Sequence, residues 1–145
     1  MAELKEKLRD IKQQFYAYRN GIVADTLRRA GHPCGVIFGL NVPQLAAIAR
    51  AAGRDAELSG ALWADTNVRE SRLLAPYLLP QENYPADTRE ALELALQVRT
   101  REEADMLAFR ILKHLDFAAD LASELEKNEA PLAAYTAATL RRHLE

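Results

Sequence analysis

An all-α fold built from stacked helical hairpins is what this sequence predicts, and three observations carry that expectation. Ala and Leu dominate while Val, Ile and Thr are sparse, a bias towards helix because Ala and Leu give up little freedom on entering one. Apolar residues recur at steps of three and four along most of the chain, the period of a helix with one buried face. No strand-like alternation of apolar and polar residues interrupts that period.

The elements follow in order. Leu4, Leu8, Ile11, Phe15 and Tyr18 form one stripe, predicting a helix over residues 2–19 that Asn20-Gly21 ends. A second helix is expected over residues 22–30, with Gly31 as its stop. Residues 32–40 hold Pro33, Gly35 and Gly39 and read as a loop. Asn41 is a good N-cap, and Pro43 sits in the first turn, where its missing N–H costs nothing. The helix it opens presents Leu45, Ile48, Ala49 and Ala52, and Gly53 closes it. Asp55 is placed to cap a short helix ending near Trp63. Asn67 is placed to cap another, carrying Val68, Leu74, Ala75, Leu78 and Leu79, that stops at Pro80.

After a loop over residues 80–87, Thr88 starts a helix with Ala91, Leu92, Leu94, Ala95, Leu96 and Val98. It is apolar nearly all round and is therefore expected in the interior. Thr100 and Glu103 form a capping box, ahead of a helix with Ala104, Leu107, Ala108, Ile111 and Leu112 on one face. Asp116 and Asn128 are expected to cap the last two helices. The first of these carries Phe117, Ala118, Leu121, Ala122 and Leu125, and the second Ala133, Ala137, Leu140 and Leu144. Roughly nine short helices with short connections pair as antiparallel hairpins. Stacked in order they give a HEAT-like α-solenoid. No linker or low-complexity tract divides the chain, so residues 1–145 are expected to form a single domain.

Charge and cysteine usage narrow the function classes. A net charge of −2 and a pI of about 6.0 disfavour strong non-specific DNA binding, which usually goes with a basic domain, but leave room for a local positive face. Cys34 is the only cysteine, so no internal disulfide forms and a reducing cytoplasm fits. The opening residues MAELKEKLRDIKQQF are charged and lack an apolar signal core. No apolar run approaches the roughly 20 residues of a membrane span. A cytoplasmic protein with no membrane partner is expected.

The stretch over residues 38–76 carries the most specific pattern. Phe38-Gly39-Leu40 precedes a helix with an early Pro43, then Leu45 and Ile48-Ala49. A Leu62-Trp63 pair follows, and after it Glu70, Arg72 and Ala75. In this order and spacing the residues resemble the DNA alkylation repair (AlkD-like) family of HEAT-like helical solenoids. The resemblance covers about a quarter of the chain directly, and the flanking amphipathic helices are compatible with it. It implies a DNA-repair-related protein, contact with duplex or damaged DNA, and chemistry of the alkylpurine glycosylase class.

The chain departs from the family pattern where that chemistry belongs. Ala46 stands where members usually have a basic residue, and Trp63 is the only Trp. A catalytic aromatic and a pair of carboxylates align best with residues 104–108, where only Asp105 is kept. Ala104 takes the aromatic's place and Ala108 that of the second carboxylate. The chain thus looks like a short, divergent member in which glycosylase chemistry is weak or lost.

Cleaving an alkylated base needs aromatic faces for the cationic base and a carboxylate for the developing oxocarbenium charge. Asp105 is the catalytic candidate, and Tyr77, Tyr84, Phe109, Phe117 and Tyr135 are the aromatics of the second half. The bland reading of Glu102, Glu103 and Asp105 is an acidic first helical turn favourable to the dipole. Trp63, Glu70 and Arg72 read as packing and ion-pairing residues.

Arg69, Arg72, Arg99 and Arg101 are the candidates for DNA phosphate contacts on a concave helical surface. The clusters Arg110, Lys113, His114 and Arg141, Arg142, His143 are explained by helix C-terminal dipoles. Neither His32-Pro33-Cys34 nor His114, Asp116 and Asp120 has the ligand set of a metal site, and no cofactor motif is present, so no metal or cofactor is expected. The alternative class is a protein-interaction module that uses the same helical surface without nucleic acid.

Overall fold

Nine α-helices and two short 3-10 turns make up the computed structural model, which describes residues 2–145. Among these residues no helix is long and apolar enough to cross a membrane. An isolated parallel bridge between Val36 and Val68 is the β-type contact they contain. The all-α class expected from the sequence is the class observed. Contacts cluster in two compact units, one reaching to Pro80 and one spanning Gln81–Glu145.

The first unit holds α1 (Ala2–Ala17), α2 (Gly21–Arg29), α3 (Val42–Ala52), α4 (Ala56–Ala64) and α5 (Arg69–Leu78). Its core is Ile11, Phe15, Leu40, Leu45, Ile48, Leu58, Leu62, Leu74 and Leu78. Fully burying each such side chain is worth about 1.5–3 kcal/mol. α5 packs against α3 and α4, and every one of its residues is buried, charged ones included. α1 lies on α4, where Lys7 pairs with Asp55 at 2.7 Å and Lys12 with Asp65 at 3.1 Å.

The second unit holds a 3-10 turn (Gln81–Asn83), α6 (Thr88–Ala95), α7 (Arg101–Arg110), a second 3-10 turn (Leu112–His114), α8 (Ala118–Glu126) and α9 (Ala133–Leu144). α9 packs on both α8 and α7, and α6 on α8. Contacts between chain neighbours and next neighbours are compatible with solenoid-like stacking of helices. The core is built from Ala104, Leu107, Ala108, Ile111, Leu112, Leu121, Leu125, Ala137 and Leu140.

Several caps match their residues. Asn41 and Gln44 form a capping box, Asp55 accepts from the Leu58 N–H, and Thr100 accepts from the Glu103 N–H. Other expectations are corrected. Asn20 does more than end α1, since its side chain accepts from the N–H groups of Ile22 and Val23 and so starts α2. Asn67 does not cap α5, whose N-cap is Val68 without a side-chain bond, because the Asn67 side chain is turned back to the Gly35 N–H at 2.8 Å. α6 starts at Thr88 as expected, and Asp87 caps it.

At α8 and α9 the N-caps are Phe117 and Leu132, not Asp116 and Asn128. Asn128 closes a local turn onto the Ala130 N–H instead. α6 is not an interior helix. Only Ala91 and Ala95 of its residues are buried, because the helix packs mainly on α8 and Leu92 and Leu94 are only half-buried.

Candidate functional site

In the first unit, the family-like residues assemble around one carboxylate. Glu70 is fully buried. Its Oε1 accepts from the Phe38 N–H at 3.0 Å, and its Oε2 from Gly39 at 2.9 Å and Leu40 at 3.3 Å. Arg69 donates to the same Oε2 at 2.6 Å and to the Leu40 carbonyl at 3.1 Å. A carboxylate is the one side chain that can accept several backbone N–H groups and a guanidinium at once. The loop over residues 34–40 is therefore folded onto the start of α5 by a single acid.

Gly39 is required there. Its φ is +89°, and an added Cβ would lie 2.4 Å from the Asn20 carbonyl oxygen. Strand-like bonds at Val36 extend the same zipper, with its N–H on the Asn67 carbonyl and its own carbonyl accepting from the Arg69 N–H.

Arg72 lies next to this cluster in sequence but serves another contact. Its guanidinium stacks over the Trp63 ring at 3.7 Å and donates to the Trp63 carbonyl at 2.8 Å. Arg69 and Arg72, expected on a phosphate-contacting face, are 7% and 2% exposed. The reason is the burial of α5 on all sides, which leaves its cations no solvent face. Trp63 takes the packing role expected of it.

In the second unit, Asp105 is exposed on α7 and meets α9. The Tyr135 hydroxyl donates to Asp105 Oδ1 at 2.7 Å, and the Thr139 hydroxyl lies 3.5 Å from the same oxygen. Donation to the Asp105 carboxylate, aided by burial, holds the Tyr135 phenol above its ordinary range. Arg101 stands one turn before Asp105 and places its guanidinium 5.0 Å from the Tyr135 ring centroid. Arg142 donates to the Thr139 hydroxyl at 3.1 Å.

Beyond Asp105 on the same helix line, Phe109 is 45% exposed. It meets the His143 ring at 5.5 Å and the Lys113 ammonium at 3.9 Å. Arg99 is exposed in the turn ahead of α7, beside a cavity of about 300 Å³ lined by Leu96, Val98, Ala130 and Pro131 among others. Glu103 belongs to the structure of the helix start. It is 2% exposed and accepts from the Arg99 N–H at 2.9 Å.

Residues 11–140 match the model of a family described as DNA alkylation repair enzyme. The chain belongs to that family. Neither curated proteins nor solved structures yield a significant match to it. Within this member of the DNA alkylation repair family the divergent positions have a definite location. Ala104 and Ala108 are both fully buried, facing the interior of the second unit, whereas Asp105 points the other way. An aromatic ring does stand beside Asp105, but Tyr135 of α9 supplies it rather than a neighbour on α7.

Sequence reading named Tyr135 and Phe109 only as aromatics in the second half and explained Lys113, Arg142 and His143 as helix-end charges. One signal was available. Arg101, Asp105, Phe109 and Lys113 recur at steps of four, which sets them along one helix face. The partners from α9 carry no such signal, because their register against α7 is set by packing.

Proposed function

We propose that this protein is DNA-repair-related and contacts the DNA backbone through basic residues of the second unit, on a HEAT-like helical scaffold. Arg99 and Arg101 carry the phosphate contacts, and Lys113 and Arg142 extend them. Family membership supports the partner class. The observation that carries the reading is the α7–α9 face, where Arg101 lies over the Tyr135 ring, Arg142 donates to Thr139, Lys113 lies over Phe109, and the Asp105 carboxylate accepts from the Tyr135 hydroxyl.

Base excision at this face is weak or absent. The Asp105 carboxylate already accepts from a phenol, which lowers its capacity to stabilise a developing positive charge. Arg69 and Arg72 act through the fold, as the braces of α5.

The test is a titration of the protein into a labelled duplex carrying an abasic-site analogue, beside an undamaged duplex, at low and moderate salt. Binding that weakens as salt rises supports phosphate contact. Binding insensitive to salt, or none at micromolar protein, rules it out. Base release from alkylated DNA that is abolished by Asp105→Ala would restore the enzyme reading.

A second reading, a protein-interaction module, has one observation of its own. Of the nine large hydrophobic side chains exposed among the described residues, six lie within residues 16–42, Ile22 at 81% and Tyr16 at 57% among them. Exposed apolar surface of this density marks interaction sites.

A further inference from the structure

The far end of the α7–α9 face differs in chemistry from its start. At Arg101 and Asp105 the groups are polar and mutually engaged. At Phe109 an aromatic ring stands 45% exposed at the surface, with the His143 ring tilted against it at 5.5 Å and Lys113 at 3.9 Å from its centroid. Arg142, beside His143 in sequence, holds its guanidinium at the Thr139 hydroxyl on the same face. Tyr135 gives a second ring about one helical repeat away, under Arg101. Exposed rings alternating with cations do little for the fold, since an exposed Phe leaves much of its apolar area in water.

That alternation has a chemical complement. A nucleic acid strand whose bases are unpaired offers π-faces to stack on rings and phosphates to meet cations. A regular duplex offers only its phosphates, because its bases are stacked on one another and cannot reach Phe109. The face carries three cations, Arg101, Lys113 and Arg142, and the Asp105 carboxylate on it is already bonded to the Tyr135 hydroxyl. Its charge therefore suits a polyanion.

We propose that the α7–α9 face binds an unpaired DNA strand, with a base stacked on Phe109 and His143 and the flanking phosphates met by Lys113 and Arg142. The choice of DNA rests on the reading given above. The unpaired strand is the new element.

The experiment is a fluorescence anisotropy titration of the full chain into labelled oligothymidylate and into a duplex of the same length. Phe109→Ala, Phe109→Leu and Phe109→Tyr are titrated alongside. Expected are tighter binding of oligothymidylate than of duplex, about tenfold weaker oligothymidylate binding on losing the ring in Phe109→Ala, and binding close to the native protein's in Phe109→Tyr. Phe109→Leu keeps the apolar bulk against the Lys113 stem but has no ring, so it must behave as Phe109→Ala. Circular dichroism confirms that each variant is folded.

Native binding that is equally tight in Phe109→Ala and Phe109→Leu overturns the stacking proposal and leaves the DNA reading standing. Duplex bound in preference to oligothymidylate does the same. Failure to bind either oligomer overturns both.

Discussion

Removing the Glu70 carboxylate takes an acceptor from four donors at once: the N–H groups of Phe38, Gly39 and Leu40 and the Arg69 guanidinium. Glu70→Ala is expected to cost about 3–5 kcal/mol, the range for leaving a buried charge without its partner. Glu70→Gln costs less, since an amide oxygen still accepts from part of the set. Urea denaturation of the two variants checks the order, and equal losses would mean that packing rather than hydrogen bonding sets the cost.

Glu70 was legible as a structural residue, but its partners were not. Helix spacing points to a neighbour three or four residues away, whereas the actual cation is the adjacent Arg69, reaching back from the first turn of α5. Backbone amides leave no mark in side-chain pattern. Tyr135 gives a second test at this scale. Its phenol is raised by donation to Asp105, so the neutral form is favoured by the fold. The stability this contributes is present below the ordinary phenol range near 10 and is lost as pH rises through the raised value. In ultraviolet titration the component missing from Tyr135→Phe should titrate above the ordinary range, and Asp105→Asn should bring it down.

Helix ends and helix faces failed or succeeded for reasons that can be stated per element. The caps that held, Asn41, Asp55 and Thr100, stand directly before a helix start, and at Asp55 the second donor, Lys7, takes Oδ2 and leaves Oδ1 for the Leu58 N–H. Asn67 failed because the Gly35 N–H claimed its side chain, a contact across 32 residues that no local rule sees. α6 reads as interior because its leucines surround it, yet its main packing is on α8 and Leu92 and Leu94 stay half-buried.

Asp55 joins two elements: it caps α4 and pairs with Lys7 of α1. Its carboxyl is held below the ordinary range, first by the Leu58 N–H and then by Lys7. A depressed carboxylate adds stability above its unfolded value, near 4, and that stability is lost as pH falls through the folded value. Asp55→Ala is expected to lose about 1 kcal/mol of cap energy at neutral pH. Asp55→Asn keeps the cap and should flatten the acid limb of a thermal stability-against-pH curve. A limb as steep as the native one would assign the acid sensitivity elsewhere.

On α7, Ala104→Trp forces a large ring into a filled core, at about 1–3 kcal/mol or more, and Ala108→Asp buries an unpaired charge. Both should lower the melting temperature without creating base release, since the two positions are buried in the core whereas Asp105 is exposed.

Charge sorts unevenly over the whole molecule. Up to Pro80 the sequence has eleven Lys and Arg against eight Asp and Glu, while residues 81–145 have eight against thirteen. The unit that carries the α7–α9 face is thus acidic as a whole, and no long-range field draws a polyanion to it. Contact there must come from local cations and from stacking. The fold class was legible because composition and period are averages over many residues and survive local errors. The sidedness of charge was not, because it depends on which helix faces are covered.

A weak field has a measurable consequence. Four cations on a single strand, Arg99, Arg101, Lys113 and Arg142, give a slope of log affinity against log salt of about −3, each contact contributing about 0.7. Lys113→Gln and Arg142→Gln should each make the slope shallower by about that amount, and Phe109→Ala should lower affinity with the slope unchanged. A native slope several units steeper would assign the phosphates to the more basic first unit, where Arg19 and Arg29 are exposed. The Lys113 and Arg142 variants would then bind with the native salt dependence.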